Sequence, residues 1–335
     1  MAQVRTAPAP ALAELQRLYD LPLFELIHQS RTLYKAHWPD PEIQLCSLLS
    51  IKTGGCSEDC SYCAQSSHYN TDLQPERLME KEKVLEAAVR AKAEGATRFC
   101  MGAAWKGVKG GDAKLDAVCG IVEGVAELGM EVCVTLGNLD PEAARRLKEA
   151  GVTAYNHNID TSPEFYPKIV TTHTFEDRLR TIGEAQKAGM SVCSGGIIGM
   201  GETVTDRLRM LEVLAGLETV PESVPINVIT PIPGTPLGDA EPVDIFELVR
   251  LIAVARITFP TSKVRLSAGR TKLSREGQAL CFYAGANAIF FGSKLLTAPN
   301  PEANEDLRLL RDLGFKPQAS YTDVPRPEGA GAAVG

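Results

Sequence analysis

Three cysteines, Cys56, Cys60 and Cys63, fall within eight residues of the stretch GGCSEDCSYCAQSS, which runs from Gly54 to Ser67. The spacing C-x3-C-x2-C brings three thiolates to one object. A [4Fe–4S] cube has four irons and takes four Cys for full protein ligation, so three leave one iron open to an outside ligand. That opening turns an electron carrier into a catalyst. The same residues also allow a Cys3His zinc site with His68 as the fourth ligand, although zinc knuckles usually pair their ligands as two separated C-x2-C turns. Three thiols without any ligand are the third reading.

A second set of polar side chains is spread along the chain at strand-like alternation. In VCVTL, Val132, Val134 and Leu136 suit a helix-facing side, which turns Cys133 and Thr135 the other way. In VRLS, Val264 and Leu266 face out, so Arg265 and Ser267 face in. The same parity turns Cys100, Cys193, Asn227, Asn156, Asn158 and Asp160 inward. One buried Cys is ordinarily a small hydrophobe, and one inward Asn a satisfied core hydrogen bond. Three inward Cys on separate strands beside an Arg and several Asn/Asp are harder to accommodate, since an unpaired buried polar group costs about 1–3 kcal/mol. The pattern points to a hollow interior that holds cofactors and a polar substrate. Cys46, Cys119 and Cys281 read as packing.

These residues need a scaffold. Short apolar runs (LCSLLSIKT, TRFCMGAA, EVCVTLGN, TAYNHNID, SVCSGGIIG, SVPINVIT, KVRLSA, AIFFGS) alternate with amphipathic stretches such as TFEDRLRTIGEAQKAG. The count is about eight βα units over roughly 270 residues, which suits an α/β (β/α)8 TIM barrel of about 250 residues. A doubly wound open sheet is the alternative. Active sites of such barrels lie on the loops at the C-terminal ends of the strands, where the cysteine triplet falls. Residues 1–40 read as an N-terminal extension with helix, 41–318 as one barrel domain, and the Pro/Gly/Ala-rich 319–335 as a disordered tail.

Composition narrows the function. Thirty-five Lys+Arg against 42 Asp+Glu give a formal charge of −7, which argues against a nucleic-acid partner. No apolar stretch approaches the roughly 20 residues that span a bilayer, and the N-terminus lacks the apolar core of a secretory signal. Nine cysteines without such a signal suit a reducing cytoplasmic location, with thiols as ligands, nucleophiles or packing.

The wording around these sites resembles a known family. CSEDCSYCAQS has the C-x3-C-x-aromatic-C form of the radical S-adenosylmethionine superfamily. SIKTGGCSEDCSYCAQS, FCMGAAW, YNHNIDTSPEFY, VCSGGIIGMGET, ESVPIN, GTPL, VRLSAGR and AGANAIFFG are similar, in order, to the biotin synthases. The segment KGVKGGDAK after Trp105 departs from their pattern and affects the lid over the substrate.

The resemblance implies that Cys56, Cys60 and Cys63 hold a [4Fe–4S] cluster whose open iron takes the amino and carboxylate groups of S-adenosylmethionine. It also implies that Cys100, Cys133, Cys193 and Arg265 hold a [2Fe–2S] cluster, the sulfur donor that closes the thiophane ring on dethiobiotin. For S-adenosylmethionine it assigns Tyr62 to the adenine, Gly102, Ala103 and the rest of GAAW to the amino group, Asn158 and Asp160 to the ribose, and Arg178 to the carboxylate. Asn158 and Asn227 are assigned to the ureido ring. A flavodoxin- or ferredoxin-like electron donor and a homodimer follow from the same likeness. Read from its own chemistry, Arg265 has no lone pair to offer and would be a counter-charge. Arg178 would be a surface helix residue beside Glu176 and Asp177. Another radical S-adenosylmethionine barrel enzyme would share the triplet without the inward cysteines, and a zinc-stabilised binding protein would share neither chemistry.

Overall fold

Successive parallel strands wrap into a closed ring. The computed structural model describes residues 3–4, 9–292 and 300–319, so the expected tail at 319–335 falls outside it but for its first residue. The ring consists of β1 (Glu42–Lys52), β2 (Arg98–Ala103), β3 (Glu131–Thr135), β4 (Ala154–Asn156), β5 (Ser191–Cys193), β6 (Ser223–Val228), β7 (Lys263–Leu266) and β8 (Ala288–Phe290). Each strand pairs with the next, and β8 returns to β1 with Ala288 opposite Gln44 and Phe290 opposite Cys46. This is the expected (β/α)8 barrel. Two helices, α1 (Leu12–Tyr19) and α2 (Leu23–His37), precede it and pack on the outer helices Val204–Ala215 and Ile245–Thr258.

The alternation along the strands separates two interiors. Val132, Val134, Leu136, Val264 and Leu266 lie fully buried in the apolar layer between strands and helices. The opposite side of the same strands is turned to the axis, where Cys46, Cys100, Cys133 and Ala154 pack together with Leu48 and Phe290. Cys46, read from the sequence as packing, does pack here, and it does so on the axial side. The register decides this: Ile43 and Leu45 join the outer layer, which turns Gln44 and Cys46 inward.

Several of the helices start on side chains that satisfy their free N–H groups. Thr174 and Thr203 form capping boxes with Asp177 and Asp206, and Asp140, Asp244 and Ser274 cap three others. At the other end of the barrel, the N-terminal ends of the strands are sealed by charge. Arg98 donates to Glu131 at 2.7 Å and Glu222 at 2.9 Å, while Lys263 lies 3.6 Å from Glu222. Burial alone would raise the Glu222 pKa, but Arg98 and then Lys263 hold it down at about 2. Below this floor lies a separate cavity of about 240 Å³ between Trp38, Asp40, Glu42 and Lys263.

Candidate active site

The main cavity, about 360 Å³, opens at the C-terminal ends of the strands and reaches down to the axial thiols. Its wall includes Cys56, Cys60, Cys63, Tyr62, Gly102, Ala103, Asn158, Asp160, Arg178, Asn227, Cys100, Cys133 and Arg265. Cys193 is fully buried next to this wall, its Sγ 3.7 Å from Nη1 of Arg265. The residues singled out from the sequence are thus brought together around one space.

The triplet loop is pinned before any ligand arrives. Gly54 and Gly55 both take left-handed φ, 68° and 62°, a turn that a side chain at either position would resist. The loop then closes on itself: Cys56 N–H donates to Gln65 O at 2.8 Å, Ser67 N–H to Cys56 O at 2.7 Å, and Cys63 N–H to Cys60 O at 2.9 Å. Burial pushes the Cys63 thiol up to about 11 and Cys60 further still, with Arg178 opposing the shift at Cys60. Metal binding must therefore displace protons that the buried loop favours keeping.

The donor set fits a polynuclear cluster better than a single ion. Cys56, Cys60 and Cys63 are free thiols that all line the cavity from one loop. A cube presents a different iron to each thiolate, so three thiols ranged along one wall suit it. His68 is exposed, and its Nε2 is engaged with Ser57 O at 3.1 Å. The zinc reading loses its fourth ligand.

Above the triplet, loops from β1 and β4 are cross-linked by charge. Glu58 Oε2 accepts from Thr172 Oγ1 at 2.5 Å and meets His173 Nδ1, and Lys106 Nζ lies 3.2 Å from Glu58 Oε1. His173 Nε2 pairs with Tyr166 Oη at 2.7 Å, and that phenol accepts from Arg178 Nε at 2.8 Å. Arg178 then pairs with Asp160 at 3.0 Å, and Tyr62 Oη donates to the same carboxylate at 2.9 Å. Arg178 is only 12% exposed, so it is not the surface helix residue its acidic neighbours suggested. Lys106 belongs to the divergent segment, whose Gly107–Val108 pairs with Asn138–Leu139 and braces the mouth.

Sequence reasoning missed Glu58, Tyr166 and His173, because nothing local announces that two distant loops will meet. Asp160 carried a signal only the backbone shows. Its φ of 67° is the one left-handed angle outside glycine among the described residues, held by Ile197 N–H on Asp160 O at 2.8 Å. The close approach requires glycine next door: a Cβ on Gly196 would lie 2.4 Å from Asp160 O.

The two asparagines differ. Asn158 Oδ1 accepts from Gly195 N–H at 3.3 Å, and its amide N–H groups have no partner among the described residues. Asn227 uses both ends: Nδ2 donates to Gly196 O at 3.0 Å and Oδ1 accepts from Ala268 N–H at 3.2 Å. It ties three strand ends together while lining the cavity. Asn227→Leu should accordingly cost about 1–3 kcal/mol of stability by stranding two backbone groups. A urea midpoint that does not move would show these bonds to be dispensable.

Comparison with known proteins decides the family. The chain is 57% identical over 304 residues to a biotin synthase from Methylobacterium sp. (strain 4-46), covering 90% of this chain and 91% of that one. It is 53% identical over 332 residues to one from Myxococcus xanthus (strain DK1622), covering 96% and 94%. The chain belongs to the biotin synthase family. Residues 50–214 match the Radical SAM superfamily profile and residues 225–316 the Biotin and Thiamin Synthesis associated domain. It is a radical S-adenosylmethionine enzyme, with the iron–sulfur chemistry of that superfamily. Among solved structures, methylornithine synthase shares the fold at a TM-score of 0.79, with 20% identity over 93% of this chain and 95% of that one. The FeFe-hydrogenase maturase from Carboxydothermus hydrogenoformans does so at 0.79, with 19% identity over 92% and 76%. Among the described residues, no helix is long and apolar enough to cross a membrane.

Proposed function

We propose that this chain makes biotin from dethiobiotin, with Cys56, Cys60 and Cys63 holding a [4Fe–4S] cluster and Cys100, Cys133 and Cys193 an interior [2Fe–2S] cluster. When bound, the first would supply the electron that splits S-adenosylmethionine to a 5′-deoxyadenosyl radical, and the second the sulfur. The observation that carries this reading is one cavity walled by the triplet at its mouth and by axial thiols at its base.

The remaining residues bind, orient and screen. Arg178 and Asp160, already ion-paired, offer a cation to the methionine carboxylate and an anion to the ribose hydroxyls. Gly102 and Ala103 bring main-chain groups to the amino end, and Tyr62 stands on the triplet loop for the adenine. The open amide of Asn158 suits a ureido carbonyl, and Asn227 holds the strand ends against that ring. The walls would hold the substrate's C–H bonds beside the radical carbon and keep weaker hydrogen donors, such as outside thiols, away from it. Arg265, fully buried, supplies positive charge to an anionic cluster.

The boundaries 1–40, 41–318 and 319–335 belong to this proposal, as do a cytoplasmic location, a homodimer, and a flavodoxin- or ferredoxin-like donor. Support for the last two is family likeness. Anaerobic reconstitution followed by assay for biotin and 5′-deoxyadenosine tests the reading. Both products should appear together from dethiobiotin. Deoxyadenosine without biotin would point to another reaction on the same barrel.

A further inference from the structure

The residues between the three cysteines all reach across to one segment, 166–173. Glu58 accepts from Thr172 Oγ1 and meets His173 Nδ1. Asp59 accepts from the N–H of Thr171 at 2.9 Å and of Thr172 at 3.2 Å. Ser61 donates to Ile169 O from its N–H at 3.0 Å and its Oγ at 2.8 Å. The triplet loop is thus strapped to the segment that carries Tyr166 and His173. Tyr166 is itself fixed: it is 1% exposed, with Phe175 edge-on to its ring at 5.4 Å and His173 at 6.0 Å.

Donor order along the strap has one solution. Tyr166 Oη accepts from Arg178 Nε at 2.8 Å, which leaves its own proton for His173 Nε2 at 2.7 Å. The imidazole then carries its proton on Nδ1, facing Glu58. Burial and the Arg178 charge favour that neutral ring. Arg178 is left with Nε on Tyr166 and Nη2 on Asp160 at 3.0 Å, while Nη1 makes no hydrogen bond among the described residues and the side chain lines the cavity. A guanidinium recognises a carboxylate through a planar fork, so its plane must be set before the anion arrives. We infer that Tyr166 and His173 are positioning residues that fix the Arg178 plane relative to the triplet loop, for the carboxylate of S-adenosylmethionine. This inference rests on the proposed assignment of that carboxylate to Arg178.

The test measures S-adenosylmethionine binding by calorimetry, without reductant, to the full chain reconstituted anaerobically with its four-iron cluster. Parent, Tyr166→Phe, Arg178→Ala and the double variant are compared, with four-iron absorbance and far-ultraviolet circular dichroism as the check on assembly. Tyr166→Phe removes one oxygen and keeps the ring. Its Kd should rise roughly 10–100-fold, as for a lost hydrogen bond to a charged group. Deoxyadenosine formation at saturating S-adenosylmethionine should stay within about threefold of parent, the split expected when binding alone is lost. The double variant should match Arg178→Ala, because Tyr166 acts only through that guanidinium. A parent-like Kd in Tyr166→Phe with weakened binding in Arg178→Ala would overturn the inference and leave the carboxylate assignment standing. So would a double variant in which the two losses multiply. A parent-like Kd in Arg178→Ala would overturn the assignment itself. If Tyr166→Phe fails to assemble, His173 decides. His173→Gln keeps an acceptor for Tyr166 and a donor for Glu58 and should bind more tightly than His173→Leu by roughly tenfold; equal affinities would refute the strap.

Discussion

Cys60→Ala protein, reconstituted and reduced without oxygen, should leave S-adenosylmethionine intact. Cys60 is 9% exposed, on a loop already closed by its own backbone hydrogen bonds, so no neighbouring side chain can swing in to replace it. His68, five residues past Cys63, is tied to Ser57 instead. Two thiolates would remain for a cube that needs three. Deoxyadenosine formation should drop by more than the roughly 100-fold that losing an outer-shell partner brings. Cleavage at the parent rate would sink the radical mechanism for this chain.

Cys193→Ala should give the complementary result. Its thiol is fully buried on β5, on a different strand from the triplet and beside Arg265. Removing it touches no bond in the triplet loop. The variant should hold the four-iron centre and still cleave S-adenosylmethionine, while the interior iron and biotin formation disappear together. Biotin at the parent rate from this variant would mean that the sulfur comes from elsewhere. The two variants divide the chemistry along the length of the cavity, one at its mouth and one at its base.

Much of this arrangement was legible in the chain, and the reason is periodicity. Eight apolar runs separated by helical stretches have few solutions other than a barrel. Alternation in VCVTL and VRLS then assigns Cys133 and Arg265 to the axis. The same rule applied to EIQLC would have turned Cys46 inward, and only its position at a strand start hid it. What periodicity cannot reach is pairing between loops. Glu58 with His173, and Arg178 with Asp160, join segments more than a hundred and about twenty residues apart, respectively, through turns whose paths follow no repeat. Arg178 misled for a local reason, since Glu176 and Asp177 supply an apparently adequate surface setting. Asn227 was legible as inward-facing, but not as a side chain whose polar atoms are already committed to backbone.

The charged floor of the barrel has a consequence for traffic. Arg98, Glu131, Glu222 and Lys263 seal the lower end, and the cavities above and below it share no lining residue. Whatever reaches the axial thiols must come through the upper doorway, past the triplet loop and the Arg178–Asp160 pair. That is also where the cosubstrate would sit. On the proposed chemistry, an interior that gives up sulfur with each product would be restocked only between visits, so refilling and turnover would take turns. Sulfide uptake by depleted enzyme should slow when S-adenosylmethionine saturates the doorway, and equal rates with and without it would reveal a second way in.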